Sequence, residues 1–233
     1  DFVGGGLRVS VDGEDQGVTL DSNGGDSSSD GHYWNSPDLG PGSHVVEITA
    51  ASDFVGILDG VEFFNGEDQA GVRVYNAGHY GYTSSRFLTP DMNMHWQHVA
   101  ALDPDLTIVH LGTNDLYAGT SPADFLAEID AIIAKIPARS SVLVVGGYLR
   151  GDYGLNDVKE HAWAHMQTGL LARATGRVGY LDLAPRWPQL VPDGSTNGDL
   201  MSDLVHPSDA GMDEIARILA SALTEPGEQP PAP

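Results

Sequence analysis

Two short polar segments, far apart in the chain, carry side chains whose types and spacing suit hydrolytic chemistry. The first is Gly112-Thr113-Asn114-Asp115, which follows an apolar run, and the second is Asp203-Leu204-Val205-His206-Pro207. An Asp shortly before a His can hold its carboxylate against the imidazole, as the orienter and base of a nucleophilic triad do. An Asn amide at the end of a buried strand can donate an N–H to a developing oxyanion. Together the two segments predict a hydrolase.

The elements that must position these segments lie in the second part of the chain, where apolar runs alternate with longer helical stretches. The predicted strands are Val72–Tyr75, Leu106–Leu111, Ser141–Val145 and Val178–Asp182. The predicted helices are 91–101, 122–135, 156–175 and 208–223, with Ser121 and Ser208 as N-caps. This alternation predicts a doubly wound α/β fold with a parallel sheet. Ligands of such sheets bind beyond the carboxyl ends of the strands, where both polar segments fall.

The first part of the chain has a different pattern. Short alternating runs are separated by Gly, Asp, Ser and Pro turns; the runs are Leu7–Val11, Gln16–Leu20, His44–Thr49 and Val61–Phe64. This pattern predicts a small antiparallel β-sandwich. We therefore divide the chain into a β-sandwich domain at 1–70, an α/β domain at 71–224 and a proline-rich tail at 225–233 that we expect to be disordered.

The composition excludes several classes of function. The 233 residues include 33 Asp and Glu against 11 Lys and Arg, a net charge of −22. Such a surface repels phosphate backbones and anionic membranes, so neither nucleic acid nor membrane is an expected partner. With no Cys the chain has no thiol nucleophile and no zinc–thiolate site. The chain opens on Asp1 without a signal peptide, so we expect a processed product or a fragment; the compartment is undetermined, with secretion favoured.

The order of three motifs resembles the SGNH (GDSL-type) serine hydrolase superfamily. Asn76-Ala77-Gly78 precedes Gly112-Thr113-Asn114-Asp115, and Asp203–His206 follows both, so the resemblance covers about residues 71–224. It implies that His206 is the general base and that Asp203 orients it. It also implies that the Asn114 side chain and the backbone N–H of Gly78 bind the oxyanion.

The nucleophile is missing from the place where this superfamily carries it, a Gly-Asp-Ser directly after the first, central strand of the sheet. The literal match, Gly25-Asp26-Ser27, falls in the hydrophilic run Asp21–Asp30 of the β segment. Ser27 is therefore one candidate nucleophile, and a serine of a hairpin loop is the structural alternative. Ser84 and Ser85 are further candidates, at a position where a helix starts.

A third arrangement accounts for the gap. Some actinobacterial and prophage-associated members of the superfamily resemble this chain in having a β-sandwich between the first and second motifs. On that reading the Ser motif and its strand would lie upstream of Asp1. We then expect a vacancy beside Val72–Tyr75, filled by a local β segment or by a second polypeptide that supplies the strand and the serine.

The sequence therefore predicts a serine ester hydrolase that acts through an acyl-enzyme on short-chain or carbohydrate O-acyl esters. The expected partner is a small-molecule or glycan ester substrate, and no metal or organic cofactor is needed. The alternative is a non-catalytic glycan-binding or assembly module with a degenerate or truncated hydrolase domain.

Several other polar groups have ordinary structural explanations. The pairs His161 with His165 and His95 with His98 fit polar helix faces better than metal sites. The run Asp21–Asp30 lacks the glycine and the terminal glutamate of a calcium loop. Three tyrosines could line a substrate cleft or pack as half-buried side chains: Tyr80, Tyr82 and Tyr117.

Overall fold

The computed structural model describes residues 6–21, 34–51, 61–63, 71–147, 157–186, 200–203 and 205–224. The predictions for Ser27, for the calcium-like run after Asp21 and for the tail 225–233 lie outside these residues. The described residues form two compact units. One comprises those of Asp1–His79 and Thr89–Asp103, and the other those of Tyr80–Leu88 and Pro104–Pro233. The domain boundary near residue 70 stays a prediction.

The first unit contains a three-stranded antiparallel sheet of β1 (Gly6–Val11), β2 (Glu14–Asp21) and β3 (Val46–Ala50), with β1 in the centre. Asp12 and Gly13 both have positive φ and connect β1 to β2, as a two-residue hairpin turn requires. The unit also contains a 3₁₀ turn, Pro90–Met92, and helix α1, Asn93–Leu102. The predicted antiparallel pairing is confirmed. Among the described residues of this unit, the three strands form a single sheet.

Two predicted strands are wrong. Residues 61–63 carry no strand, and Phe64 lies outside the described residues. Residues 72–79 carry no strand either, and the side chains of Val72 and Val74 are 90% and 88% exposed. The alternating apolar pattern is present in both segments, but a strand also needs a neighbour for its backbone hydrogen bonds, and no described residue pairs with either.

The second unit is built on a parallel sheet of β4 (Leu106–Val109), β5 (Ser141–Gly146) and β6 (Val178–Asp182), in that spatial order. The helices between and after these strands are α2 (Thr113–Ala118), α3 (Pro122–Lys135), α4 (Asp157–Leu171) and α5 (Asp209–Thr224), with 3₁₀ turns at Ser85–Leu88 and Ala184–Arg186. The predicted α/β class is confirmed.

The central strand β5 shows that both faces of the parallel sheet are covered. Successive side chains of a strand point to opposite faces. Leu143 and Val145 belong to the apolar cluster that includes Ile215 and Ile218 of α5. Val142 and Val144, on the opposite face, are only 2% and 1% exposed. Because both faces are buried, β5 is a continuous apolar run rather than an alternating one.

The helix caps follow the sequence. Ser121 accepts a hydrogen bond from the backbone N–H of Asp124 at 3.1 Å, with Pro122 as the first helical residue of α3. Ser208 accepts one from the N–H of Gly211 at 3.2 Å at the start of α5. Both predicted N-caps are confirmed, and Ser208 fixes the point at which the chain passes from the His206 segment into α5.

Candidate active site

Asp203 and His206 form one hydrogen-bonded loop. Oδ2 of Asp203 lies 2.8 Å from Nδ1 of His206. Oδ1 of Asp203 accepts the backbone N–H groups of Val205 and His206, both at 2.6 Å. The carboxylate therefore holds both the imidazole ring and the backbone that carries it, which is the arrangement that the sequence predicts for an orienting acid.

The same hydrogen bonds set the charge of the pair. The bond to the His206 side chain and those to the backbone N–H groups of His206 and Val205 lower the pKa of Asp203 to about 2. Asp203 is thus a carboxylate at neutral pH, so the neutral His206 ring carries its proton on Nδ1. No described residue bonds Nε2, and the side chain is 56% exposed. Nε2 is therefore free to accept a proton.

The Asp203–His206 loop is closed at its base. Met201 and Pro207 form an antiparallel bridge. The carbonyl of His206 accepts the backbone N–H of Ser202 at 2.9 Å and its Oγ at 3.0 Å. Met201 is 7% exposed and belongs to the apolar cluster of β5 and α5. The loop is thus attached to the buried core through Met201, which precedes it, while the side chains of Asp203 and His206 remain exposed.

Gly211 allows the first turn of α5 to approach this loop. A Cβ on Gly211 would lie 2.0 Å from the carbonyl oxygen of Leu200 and 3.0 Å from Cβ of Pro207. The obstructing carbonyl oxygen of Leu200 belongs to the backbone, so no side-chain rotation can relieve the clash. Glycine is therefore required here for close packing rather than for an unusual φ.

We predict that Gly211→Ala lowers the free energy of unfolding by about 1–3 kcal/mol, because the added methyl overpacks the helix start against Leu200. Gly179→Ala is the matched control, since a Cβ there meets its nearest side-chain atom at an ordinary 3.6 Å. Urea denaturation measures both variants. Equal stability of Gly211→Ala and Gly179→Ala would show that the close approach at Leu200 does not constrain the loop.

Asn114 lies in the first turn of α2, immediately after the segment that leaves β4. Gly112 precedes the helix with φ of 117°, a conformation that suits glycine. Nδ2 of Asn114 donates to the carbonyl of Tyr82 at 3.0 Å. An amide has two N–H bonds, so the second remains for another acceptor, as the predicted oxyanion role requires.

Asp115, the next residue, binds a buried serine. Oδ1 of Asp115 accepts the backbone N–H of Ser84 at 2.9 Å and lies 2.5 Å from its Oγ. Ser84 Oγ also lies 2.5 Å from Oε2 of Glu128 on α3. Asp115 and Ser84 are both fully buried. Asn114 and Asp115 therefore fix the segment Tyr82–Ser84 on α2, and the expectation that Asp115 braces a loop agrees with these contacts.

These contacts argue against the two alternative nucleophiles in this segment. Ser84 is 0% exposed, and its hydroxyl is engaged by two carboxylates, so no ester can reach it. Ser85 is exposed, but its Oγ pairs with Oγ1 of Thr83 at 2.9 Å, and no histidine of the described residues bonds it. A serine hydroxyl needs an adjacent base to become nucleophilic.

We predict that Ser84→Ala lowers the free energy of unfolding by about 1–3 kcal/mol, because it removes the hydroxyl that lies between the acidic side chains of Asp115 and Glu128 in a buried site. Ser85→Ala, one residue away on the surface, should change it by less than about 0.5 kcal/mol. Thermal and urea unfolding of both variants provide the test. A Ser84→Ala protein as stable as Ser85→Ala would contradict the structural role.

Gly78, the second predicted oxyanion donor, belongs to the other unit. Its backbone N–H donates to Oδ1 of Asn76 at 3.0 Å. The donor is therefore already paired with a side chain in this structure, and binding an oxyanion would require it to exchange that acceptor. The convergence of Gly78 with Asn114, Asp203 and His206 stays a prediction.

A pocket of about 410 Å³ adjoins Gly78 within the first unit, between residues 75–79 and α1. His79 Nε2 lies 3.2 Å from His95 Nδ1 in its wall. Burial, and then the charges of His79 and His98, lower the pKa of His95 to about 4. His95 is therefore neutral near pH 7. In the described part of the chain, no group of three or more His, Asp or Glu side chains is arranged to hold a metal ion.

The remaining candidates are dispersed. His161 and His165 are exposed on α4. Tyr80 and Tyr117 are 93% and 67% exposed, whereas Tyr82 packs edge-on against Phe87, with ring centroids 5.6 Å apart. None of the helices that the structure describes is long and apolar enough to cross a membrane.

Comparison with known families identifies the family of this chain. Residues 25–214 match the model of the GDSL-like lipase/acylhydrolase family, and the chain belongs to that family. Family membership supports an ester hydrolase activity. No curated protein matches the chain.

Three of the solved structures that match part of the chain illustrate the range of similarity. A putative acylhydrolase from Bacteroides fragilis is 20% identical, with a TM-score of 0.49 over 61% of this chain and 70% of that one. A family 3 carbohydrate esterase from Talaromyces cellulolyticus is 20% identical, with a TM-score of 0.48 over 63% and 68%. A GDSL-like lipase from Bacteroides thetaiotaomicron is 17% identical, with a TM-score of 0.49 over 61% and 71%.

Proposed function

We propose that the protein is a serine ester hydrolase that works through an acyl-enzyme, with His206 as the general base. The observation that carries this proposal is the bond between Asp203 and Nδ1 of His206, which leaves Nε2 exposed and unpaired among the described residues. Both oxygens of Asp203 bond the His206 ring or its backbone, so we assign Asp203 the role of orienting His206. The imidazole is the group of the pair that can move a proton.

The proposed reaction uses His206 and Asn114 together with a serine. As the serine oxygen bonds to the ester carbonyl carbon, its proton passes to Nε2 of His206. The carbonyl oxygen becomes an oxyanion, which the second N–H of Asn114 stabilises. His206 then returns the proton to the departing alkoxide and leaves an acyl-serine. Water, deprotonated by the same Nε2, cleaves that ester and regenerates the serine.

Two sources of the serine are consistent with the chain. The family match begins at Gly25, the first residue of Gly25-Asp26-Ser27, which supports Ser27. The other possible source is a second polypeptide that adds a strand and a serine. Within the described residues β4 pairs only with β5, so its other edge is open, and Ile108 of β4 is 42% exposed. An open edge of an apolar parallel strand favours pairing with a further strand.

We propose short-chain or carbohydrate O-acyl esters as substrates. The exposed position of His206 suits an acyl group on a large polar molecule, because the base is reached without passing through an apolar tunnel. The net charge of −22 disfavours adsorption to anionic lipid surfaces.

We predict that the purified chain hydrolyses p-nitrophenyl acetate and that His206→Ala lowers kcat by about 10²–10⁴-fold, the usual contribution of a general base. His44→Ala is the matched control. His44 is also paired with a carboxylate, with Nδ1 2.7 Å from Asp12 Oδ2, but its Nε2 lies 3.3 Å from the Gly40 carbonyl. Both of its nitrogens are therefore engaged. An equal loss in the two variants, or none in His206→Ala, would contradict the proposal.

A fluorophosphonate probe, which labels activated serine nucleophiles, locates the missing group. We expect labelling at Ser27 in the active chain, and its loss in His206→Ala but not in His44→Ala. Hydrolysis that appears only when a second polypeptide is added, with the label on that polypeptide, would place the serine there instead. Neither labelling nor hydrolysis under either condition would favour the alternative function, a glycan-binding or assembly module.

A further inference from the structure

The first unit contains a second Asp–His pair, which is built differently from that of Asp203 and His206. Nδ1 of His44 lies 2.7 Å from Oδ2 of Asp12, and Nε2 of His44 lies 3.3 Å from the carbonyl oxygen of Gly40. The side chain of His44 is 25% exposed, and that of Asp12 is 47% exposed. Both ring nitrogens of His44 therefore face oxygen acceptors, whereas the described contacts of His206 engage Nδ1 alone.

The two acceptors determine how many protons suit the His44 ring. A carboxylate and a backbone carbonyl accept hydrogen bonds and cannot donate them. A neutral imidazole has one N–H, so it satisfies one of the two oxygens and turns a lone pair toward the other. An imidazolium has two N–H groups and satisfies both. The positions of Asp12 and Gly40 thus favour the protonated, cationic form of His44.

The charges around His44 act in the same direction. The bond to Asp12 raises the pKa of His44, partial burial opposes this rise, and the bond to the Gly40 carbonyl adds to it. The bonds from His44 and from the backbone N–H of Val45 lower the pKa of Asp12. The other ionisable side chains within three residues of Asp12, Gly40 or His44 are all acids: Glu14, Asp15, Asp38 and Glu47. Negative charge nearby favours the cationic ring.

Asp12 also makes the backbone bonds that fix this region. Its Oδ1 accepts the N–H of Val45 at 2.8 Å, and its own N–H donates to the Val45 carbonyl at 2.8 Å. Asp12 lies in the turn between β1 and β2 with φ of 53°, and Val45 directly precedes β3. His44 and Asp12 therefore link three segments of the unit: the β1–β2 turn, the backbone at Gly40 and the start of β3.

We propose that His44 is a proton-dependent clasp, whose imidazolium ties residues 40–45 to the β1–β2 turn and whose deprotonation loosens them. Because the pKa of His44 is raised, the clasp contributes its full stability below the ordinary histidine value of about 6.5, as long as Asp12 is ionised. This contribution is lost as the pH rises through the raised pKa. The clasp is independent of the proposed hydrolysis, since neither His206 nor a serine nucleophile takes part in it.

NMR titration of the histidine side chains tests the clasp, with the His44 signals assigned by their loss in His44→Gln. We expect the midpoint of His44 to lie above about 6.5 and to fall in Asp12→Asn. Asparagine tolerates the left-handed turn and keeps an oxygen for the Val45 N–H, but it removes the charge. His161→Gln, which removes an exposed histidine of α4, is the matched control and should leave the His44 midpoint unchanged.

Hydrogen exchange of the Val45 amide, corrected for the intrinsic exchange rate at each pH, measures whether the segment loosens. Its protection should fall as the pH rises through the His44 midpoint, while the amides of β5 keep theirs, and this dependence should be absent in His44→Gln. A His44 midpoint at or below about 6.5, an unchanged midpoint in Asp12→Asn, or Val45 protection that is constant through the midpoint would each overturn the proposal. None of these results depends on hydrolysis, so the clasp can fail while the proposed activity stands, and the reverse.

Discussion

The geometry of the candidate active site depends on the carboxylate of Asp203. Its Oδ2 bonds the ring of His206. Its Oδ1 bonds the backbone N–H groups of Val205 and His206, which fix the position of the backbone that carries the ring. Ring and backbone are therefore oriented by one group, and loss of the carboxylate would free both together. A lowered pKa near 2 keeps this group ionised over the range in which an imidazole changes charge.

A second constraint is that the loop must be attached to the packed core while the side chains of Asp203 and His206 stay exposed. Met201 enters the apolar cluster of β5 and α5, and Gly211 lets α5 start directly beneath the loop. Asn114 is fixed differently, through the carbonyl of Tyr82, while its neighbour Asp115 binds Ser84. His206 and Asn114 each keep a polar atom available for chemistry, while Asp203 and Asp115 hold the neighbouring backbone.

The parts of the fold that sequence could predict are those governed by local patterns. Helix α3 begins at Pro122 and ends at Lys135 as its capping serine and apolar spacing indicate, and Ser141–Gly146 is a buried strand. The Asp203–His206 bond was predictable because its two partners are close in sequence. Val72–Tyr75 has a strand pattern but no strand, because pairing depends on a partner that the pattern does not contain.

The buried contact of Ser84 with Asp115 and Glu128 was not predictable for a related reason. Its three side chains come from three separate segments, and nothing in the sequence near Ser84 distinguishes it from Ser85. The one available signal was Glu128, an acid directly before Ile129 in the buried stripe of α3 that also includes Phe125 and Ile132. An acid at the edge of such a stripe indicates a buried polar partner, but it does not identify that partner.

The central claim is that Asp203 holds His206 with a proton on Nδ1 and a free lone pair on Nε2. Nitrogen-15 NMR of the histidine side chains at neutral to mildly alkaline pH measures this directly. The account predicts that neutral His206 populates the Nδ1–H tautomer and loses that preference in Asp203→Ala. A neutral ring that carries its proton on Nε2, or a tautomer unaffected by Asp203→Ala, would contradict the account, because His206 could not then act as the oriented base.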